Sequence, residues 1–351
     1  MKKLLTGILV VVVFAAVLAA SVFLGDHNDP YYNDDGSFAH IDGEDSFGHV
    51  EKHPAFSEFA SFIIPWKDPL NQIGTPLLSL NTVCTVNRFH TGSVVDGINC
   101  VIDAANDHQI YYDFYSEEER REDPSKEETG LIFLPGEPGA PVAFVAAGGG
   151  YTCVCLFSEG FQCAHYLHDL GYNVFLLKYR VDTRGGDFEK IAPAQEPIAN
   201  EDFGNALKYL FENQEKFGVS MEGYSCWGFS AGGRTTFLWG LDNEMGYKAW
   251  EVPEPGALVF AYSGWYDDQF EGQYGTMPPS YFAWLPEDNV IGKTLTEQIS
   301  QMIRYMEENG MTVADHAYYD AFHGFGDGRG TDAEDWIIEA CEFWEAQIAV
   351  Q

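Results

Sequence analysis

From Pro141 to the C-terminus, short apolar runs alternate with longer amphipathic stretches. Pro141–Ala147 (PVAFVAA) reads as a buried strand, and three glycines, Gly148-Gly149-Gly150, follow it. Residues 158–170 can form a helix, and Tyr172–Tyr179 (YNVFLLKY) a second strand. Residues 201–216 carry a strong amphipathic pattern that ends before Gly218. Tyr224–Gly228 is a short strand leading into Ser230, and helix resumes over 231–241. Ala257–Ser263, Tyr281–Leu285 and Ala314–Tyr319 are three further strands, separated or followed by helices at about 294–309 and 332–348. Strands alternating with helices of this length form βαβ units. The expected fold class is therefore α/β, a single doubly wound domain on a mostly parallel sheet.

The chain before Pro141 is less regular. Residues 54–135 show short apolar pieces broken by turns, then the charged stretch Glu117–Glu128. Residues 26–53 hold Asp29-Pro30, Asn33-Asp34-Asp35-Gly36 and Asp42-Gly43-Glu44-Asp45, turn-formers and like charges without an apolar period. That composition reads as a flexible acidic tether. Residues 1–25 open with Lys2 and Lys3 and then run uncharged from Leu4 to Leu24. Two readings fit: a cleavable signal peptide, with Ala19-Ala20-Ser21 as its small-residue stretch, or an uncleaved membrane anchor. The apolar length favours the anchor. Both leave the two lysines inside and carry the remainder across the membrane, so the domain over 54–351 is expected outside the cytoplasm. No internal repeat is present.

Composition narrows the function classes. Of 351 residues, 46% are hydrophobic and 15% aromatic, enough for a sizeable core. Nineteen Lys+Arg against 54 Asp+Glu give a formal charge of -35. A surface that acidic repels phosphate backbones and anionic headgroups, which argues against nucleic-acid binding. Seven cysteines are too sparse for a disulfide scaffold, and the odd count leaves at least one unpaired. No pair has zinc-ribbon spacing, and Cys153-x-Cys155 lacks the two-residue gap of a redox motif. Buried or half-buried thiols are the expectation.

The chemistry concentrates after the strands. Gly228-Phe229-Ser230-Ala231-Gly232 reads G-x-S-x-G, with a strand before it and a helix after it. A serine at the tip of such a turn projects its hydroxyl above the sheet, and only small neighbours let the turn close. The candidate base is His323, in the glycine-bracketed loop Phe322-His323-Gly324-Phe325-Gly326 after a strand. His316, the other downstream histidine, lies within the strand pattern and is expected to pack against the sheet. An orienting carboxylate is expected between serine and histidine in chain order. Asp288 follows the strand Tyr281–Leu285 and is preferred; Glu287 and the Asp267/Asp268 pair are the alternatives. Gly148-Gly149-Gly150-Tyr151 lets the backbone approach a substrate and aim N–H groups at an oxyanion. A phosphate loop is the competing reading, but no Gly-Lys-Ser/Thr follows and Cys153 breaks G-x-G-x-x-G. The candidate oxyanion donors are Gly149, Gly150 and Ala231.

With these residues in place, the stretch from about His53 onward resembles bacterial α/β-hydrolases of the esterase/lipase type, near the acetyl-xylan-esterase-like and feruloyl-esterase-like branch. The resemblance is carried by Gly148-Gly149-Gly150-Tyr151 with Glu159-Gly160, Gly171-Tyr172 leading to Tyr179-Arg180, and the Ser230 elbow. It continues through Pro278-Pro279 before a strand, Asp288 and His323-Gly324-Phe325-Gly326. It implies the α/β-hydrolase fold, with Ser230 as nucleophile, Asp288 as acid and His323 as base. Ala147 stands where hormone-sensitive-lipase relatives carry histidine, which sets that subgroup aside. The acid loop, Leu285-Pro286-Glu287-Asp288-Asn289, lacks the glycine usual there. Other matching residues have structural explanations: Arg180 pairing an acid such as Asp202, Glu159 bracing the glycine loop, and Trp227, Trp265 and Trp284 in the core.

These expectations describe a serine hydrolase of carboxylic esters, with short acyl chains carried by a small molecule or a carbohydrate as the expected substrates and no metal or organic cofactor. Two alternatives stay open. A prolyl-oligopeptidase-type peptidase uses the same triad, although the roughly 80 residues before Pro135 are few for its gating domain. A non-catalytic binding protein on a hydrolase scaffold would be expected to lose one of these residues.

Overall fold

Apolar runs of five or six residues build the inner strands, and their continuous burial shows that both faces of the sheet are covered there. The computed structural model describes residues 30–59, 77–182, 188–264 and 275–349. The N-terminal segment 1–25, Trp265 and the Asp267/Asp268 pair lie outside them. The strands are β1 Tyr111–Tyr112, β2 Gly130–Leu134, β3 Val142–Ala146, β4 Asn173–Lys178, β5 Ser225–Phe229, β6 Ala257–Ala261, β7 Ser280–Trp284 and β8 Val313–Ala317. They form one sheet in the order β1-β2-β4-β3-β5-β6-β7-β8. β2 runs antiparallel to β1 and β4, and every pairing from β4 to β8 is parallel.

Parallel neighbours need crossovers, and the helices supply them. Thr91–Asp107 (α1), Phe161–Asp169 (α2), Phe188–Glu212 (α3), Ser230–Gly240 (α4), Gly292–Glu308 (α5) and Trp336–Ile348 (α6) are the long ones. α2 packs on β3 and β4 and meets α1 and α6; α4 packs on β5 and β6 and meets α3. The chain leaves β3 through α2 to β4 on one side, then returns through α3 to β5 on the other side of β3. The direction of winding thus reverses at β3, which opens a crevice beyond the carboxyl ends of β3 and β5. Ala146 pairs with Gly228 across those strands. Two residues further along each strand come Gly148 and Ser230.

Several sequence expectations change. Residues 38–53 are not a tether in this structure: Ala39, Ile41, Phe47 and Val50 are buried, and Asn99 on α1 bonds both backbone groups of Ile41. These apolar positions are too widely spaced to register as a period, and burial is decided by a distant helix. Within 54–135, α1 buries Val94, Ile98, Val101 and Ile102 on one face, and β2 is buried throughout. The helix expected at 201–216 starts at Phe188 and passes through Pro193 and Pro197 before ending at Glu212. Prolines read as breaks because they lack an N–H; here the buried Ile191, Ala192, Ala199 and Phe203 hold the helix through them. β8 is the exposed edge, so His316 does not pack against the sheet. It is half exposed and its Nδ1 lies 2.9 Å from Glu339 Oε2. All seven cysteines are free, and each is buried or half-buried. Among the described residues no helix is long and apolar enough to cross a membrane.

Candidate active site

The turn from β5 into α4 places Ser230 in the left-handed region, at φ 47°. A non-glycine residue held there stores backbone strain, which the packed strand and helix on either side sustain. Phe229, the N-cap of α4, offers no side-chain cap. The first N–H groups of a helix have no intrahelical partner, so the Ala231 N–H remains a donor at the positive end of the helix.

Ser230 Oγ lies 2.9 Å from His323 Nε2. His323 Nδ1 lies 2.7 Å from Asp288 Oδ2. Asp288 Oδ1 accepts from Val290 N at 2.8 Å and from Ile291 N at 3.2 Å. Burial alone would raise the Asp288 pKa; the His323 hydrogen bond and charge, with the two backbone N–H groups, outweigh it and hold the carboxyl below its ordinary range. The Asp288 side chain is fully buried, whereas neighbouring Glu287 is exposed. The structure thus brings Ser230, Asp288 and His323 together, and leaves Glu287 facing solvent.

The glycine loop closes the other side of Ser230. A Cβ on Gly148 would lie 2.7 Å from Ser230 Cβ and 2.9 Å from Glu159 Oε2, so no side chain fits between them. Gly149 at φ +125° turns the chain where other residues would be strained. The Gly148 N–H is committed to Glu159 Oε2 at 2.7 Å. The N–H groups of Gly149 and Gly150 make no hydrogen bond among the described residues, which leaves them as donors beside the serine. The loop is held from behind by the Tyr179 hydroxyl, which donates to Ala147 O at 2.7 Å, and by Asp182 N, which donates to Tyr151 O at 2.8 Å.

Residues singled out as structural are so placed. Arg180 Nη2 donates to Asp202 Oδ1 at 2.7 Å and to Glu201 Oε2 at 2.8 Å, and its backbone N–H donates to Asp202 Oδ2 at 2.7 Å. Trp227 is fully buried against Trp336, while Trp284 is half-buried and donates to Asp315. The sequence reading missed Tyr262. Its ring packs edge-on against the His323 ring at 5.1 Å and against Phe325 at 4.6 Å. No motif marks it; only its place at the end of β6, beside His323, reveals it. Among the described residues no cluster of His, Cys, Asp or Glu is arranged to hold a metal ion.

The BD-FAE family model matches residues 132–254. No curated protein sequence matches the chain. Among solved structures, it is similar to esterase B from Lactobacillus rhamnosis at 13% identity, over 69% of this chain and 86% of that one, with a TM-score of 0.52. It is similar to a thermophilic esterase from Thermogutta terrifontis with butyrate bound, at 15% identity, over 63% and 89%, with a TM-score of 0.51. Carboxyl esterase 2 from Tuber melanosporum matches at 16% identity, over 62% and 83%, with a TM-score of 0.50. The eight-stranded order, the reversal at β3 and these likenesses agree: the chain has the α/β-hydrolase fold.

Proposed function

We propose that the protein is a serine hydrolase that cleaves carboxylic esters through an acyl-enzyme. The observation that carries this reading is the continuous chain Ser230 Oγ–His323 Nε2 at 2.9 Å and His323 Nδ1–Asp288 Oδ2 at 2.7 Å. His323 takes the hydroxyl proton as Ser230 attacks the ester carbonyl, then returns it to the departing alkoxide. Asp288 fixes the tautomer in which Nδ1 carries the proton and stabilises the imidazolium that forms. The N–H groups of Gly149, Gly150 and Ala231 receive the negative charge that develops on the carbonyl oxygen. Water, activated by the same imidazole, releases the acid.

Short acyl chains on a small-molecule or carbohydrate alcohol are the proposed substrates. The butyrate bound to one similar esterase and the BD-FAE match support that choice. The N-terminal lysines and apolar run support action outside the cytoplasm, secreted or anchored. The test is hydrolysis of p-nitrophenyl esters from acetate to octanoate by the full-length chain and by its Ser230→Ala variant. Turnover of acetate or butyrate that disappears in the variant supports the reading and bounds the acyl pocket. Equal inertness, together with failure of a fluorophosphonate probe to label Ser230, would leave a binding protein. Cleavage of peptide amides in preference to esters would favour the peptidase.

A further inference from the structure

Glu159 is a buried carboxyl group that the steps above leave unused. It sits on a single π-helical turn, Leu156–Gly160, between β3 and α2, and is 5% exposed. Its Oε2 accepts the Gly148 N–H at 2.7 Å, directly behind the loop that faces Ser230. Its other oxygen faces the backbone of the base loop, 3.8 Å from where a Cβ on Gly324 would lie. One carboxyl group thus bonds the glycine loop and lies beside the loop that carries His323.

The titratable groups that act electrostatically on Glu159 come from four segments. Cys153 and Cys155 belong to its own loop; Tyr179 follows β4, Tyr262 follows β6, and His323 follows β8. Thiols and phenols never carry positive charge, whereas an imidazole does when it holds two protons. Of these groups, His323 alone becomes a cation, and it does so in the step in which Ser230 is deprotonated.

We propose that Glu159 is a positioning residue for ester cleavage: its carboxylate pins the first N–H of the glycine loop and adds a second negative charge, beside that of Asp288, to the His323 imidazolium. This rests on the ester-cleaving reading above. Burial pushes the Glu159 pKa up to about 7, against the lowering effects of the Gly148 N–H and the His323 charge. The carboxylate therefore forms near neutral pH. Full activity needs this carboxyl ionised as well as an imidazole free to accept the serine proton.

The experiment measures kcat/KM for p-nitrophenyl acetate from pH 5 to 9 with the full-length wild type, Glu159→Gln and Ser230→Ala. Glutamine retains an oxygen that accepts the Gly148 N–H but carries no charge. The expected wild-type acid limb steepens to a two-proton dependence. In Glu159→Gln the limb becomes a one-proton dependence with its midpoint at lower pH. Its kcat at pH 8.5 falls about tenfold, the equivalent of one pKa unit of lost imidazolium stabilisation. A one-proton limb in the wild type overturns the proposal, and that result needs no variant to fold. A uniform loss of kcat with the limb still two-proton also overturns it, because a merely structural brace has no protonation signature. Turnover unchanged in Ser230→Ala sinks the ester-cleaving reading itself, whereas an inert Ser230→Ala beside a one-proton wild type sinks this inference alone.

Discussion

Ser230 Oγ and His323 Nε2 are 2.9 Å apart in space and 93 residues apart in the chain. The contact exists because β5 sits inside the sheet, with β6, β7 and β8 following it in order. Each carboxyl-terminal loop then opens on the same edge, and the loop after β8 folds back over the serine.

Replacing Ser230 separates chemistry from stability. Ser230→Ala is expected to lower kcat/KM for p-nitrophenyl acetate by about 10⁴-fold or more, because the triad acts as a unit. Ser230→Gly should be equally inert but more stable by about 1 kcal/mol, since glycine adopts φ 47° without strain. Urea denaturation of both variants beside wild type measures the second effect; a glycine variant less stable than wild type would contradict it.

The acid can be tested against its neighbour. Asp288→Asn keeps the shape but removes the charge that in the proposed triad orients His323, and kcat should drop about 10⁴-fold. Glu287→Gln, one residue away and exposed, should turn over at the wild-type rate. Steady-state kinetics on the pair decides, and the reverse pattern would move the acid to Glu287.

Glu159 makes stability depend on pH in a set direction. Its native pKa of about 7 lies above the ordinary 4.5, so the folded state holds the proton more tightly than the unfolded chain. The stabilisation is fully present below pH 4.5 and is lost as pH rises to about 7, a change of about 3 kcal/mol. Relative to Glu159→Gln, the wild type should lose that amount between pH 4.5 and 8. Denaturant midpoints of the two proteins across this range report it; parallel curves would show that no such titration occurs.

Arg180 and Asp202 form a buried pair tied to the end of β4. Asp202 is fully buried and accepts from both the Arg180 side chain and its backbone N–H. Asp202→Ala leaves the guanidinium partly uncompensated and should cost about 3–5 kcal/mol in a urea titration. A loss under 1 kcal/mol would mean that Glu201 and Asp123, its other partners, suffice.

The strands from β3 to β7 were legible because each is a short apolar run bounded by turn residues, and that information is local. β2 and α1 were not, since α1 carries Gly92 and Gly97 within its helical period. Gly97 lies where a Cβ would press on the Phe161 and Gln162 backbone, so a residue that reads as a helix breaker is there for close packing against α2. Residues 38–53 were misread for the same reason, their few apolar side chains finding partners far away in the chain.

Residue pattern alone sets the alternation of strand and helix, the sharp turn at Ser230 and the glycine-bracketed histidine, because turn chemistry and periodicity act over a few residues. It prefers Asp288 for the acid but leaves Glu287 and the Asp267/Asp268 pair open; Asp288 and Glu287 differ in which way they point. Nor does it show that Glu159, already expected to brace the glycine loop, lies beside the His323 loop, or that Tyr262 packs on the His323 ring. Those relations are set by strand order and by the burial that follows from it. Burial decides which carboxyl group meets an imidazole and which meets water, and no local stretch of chain contains that choice.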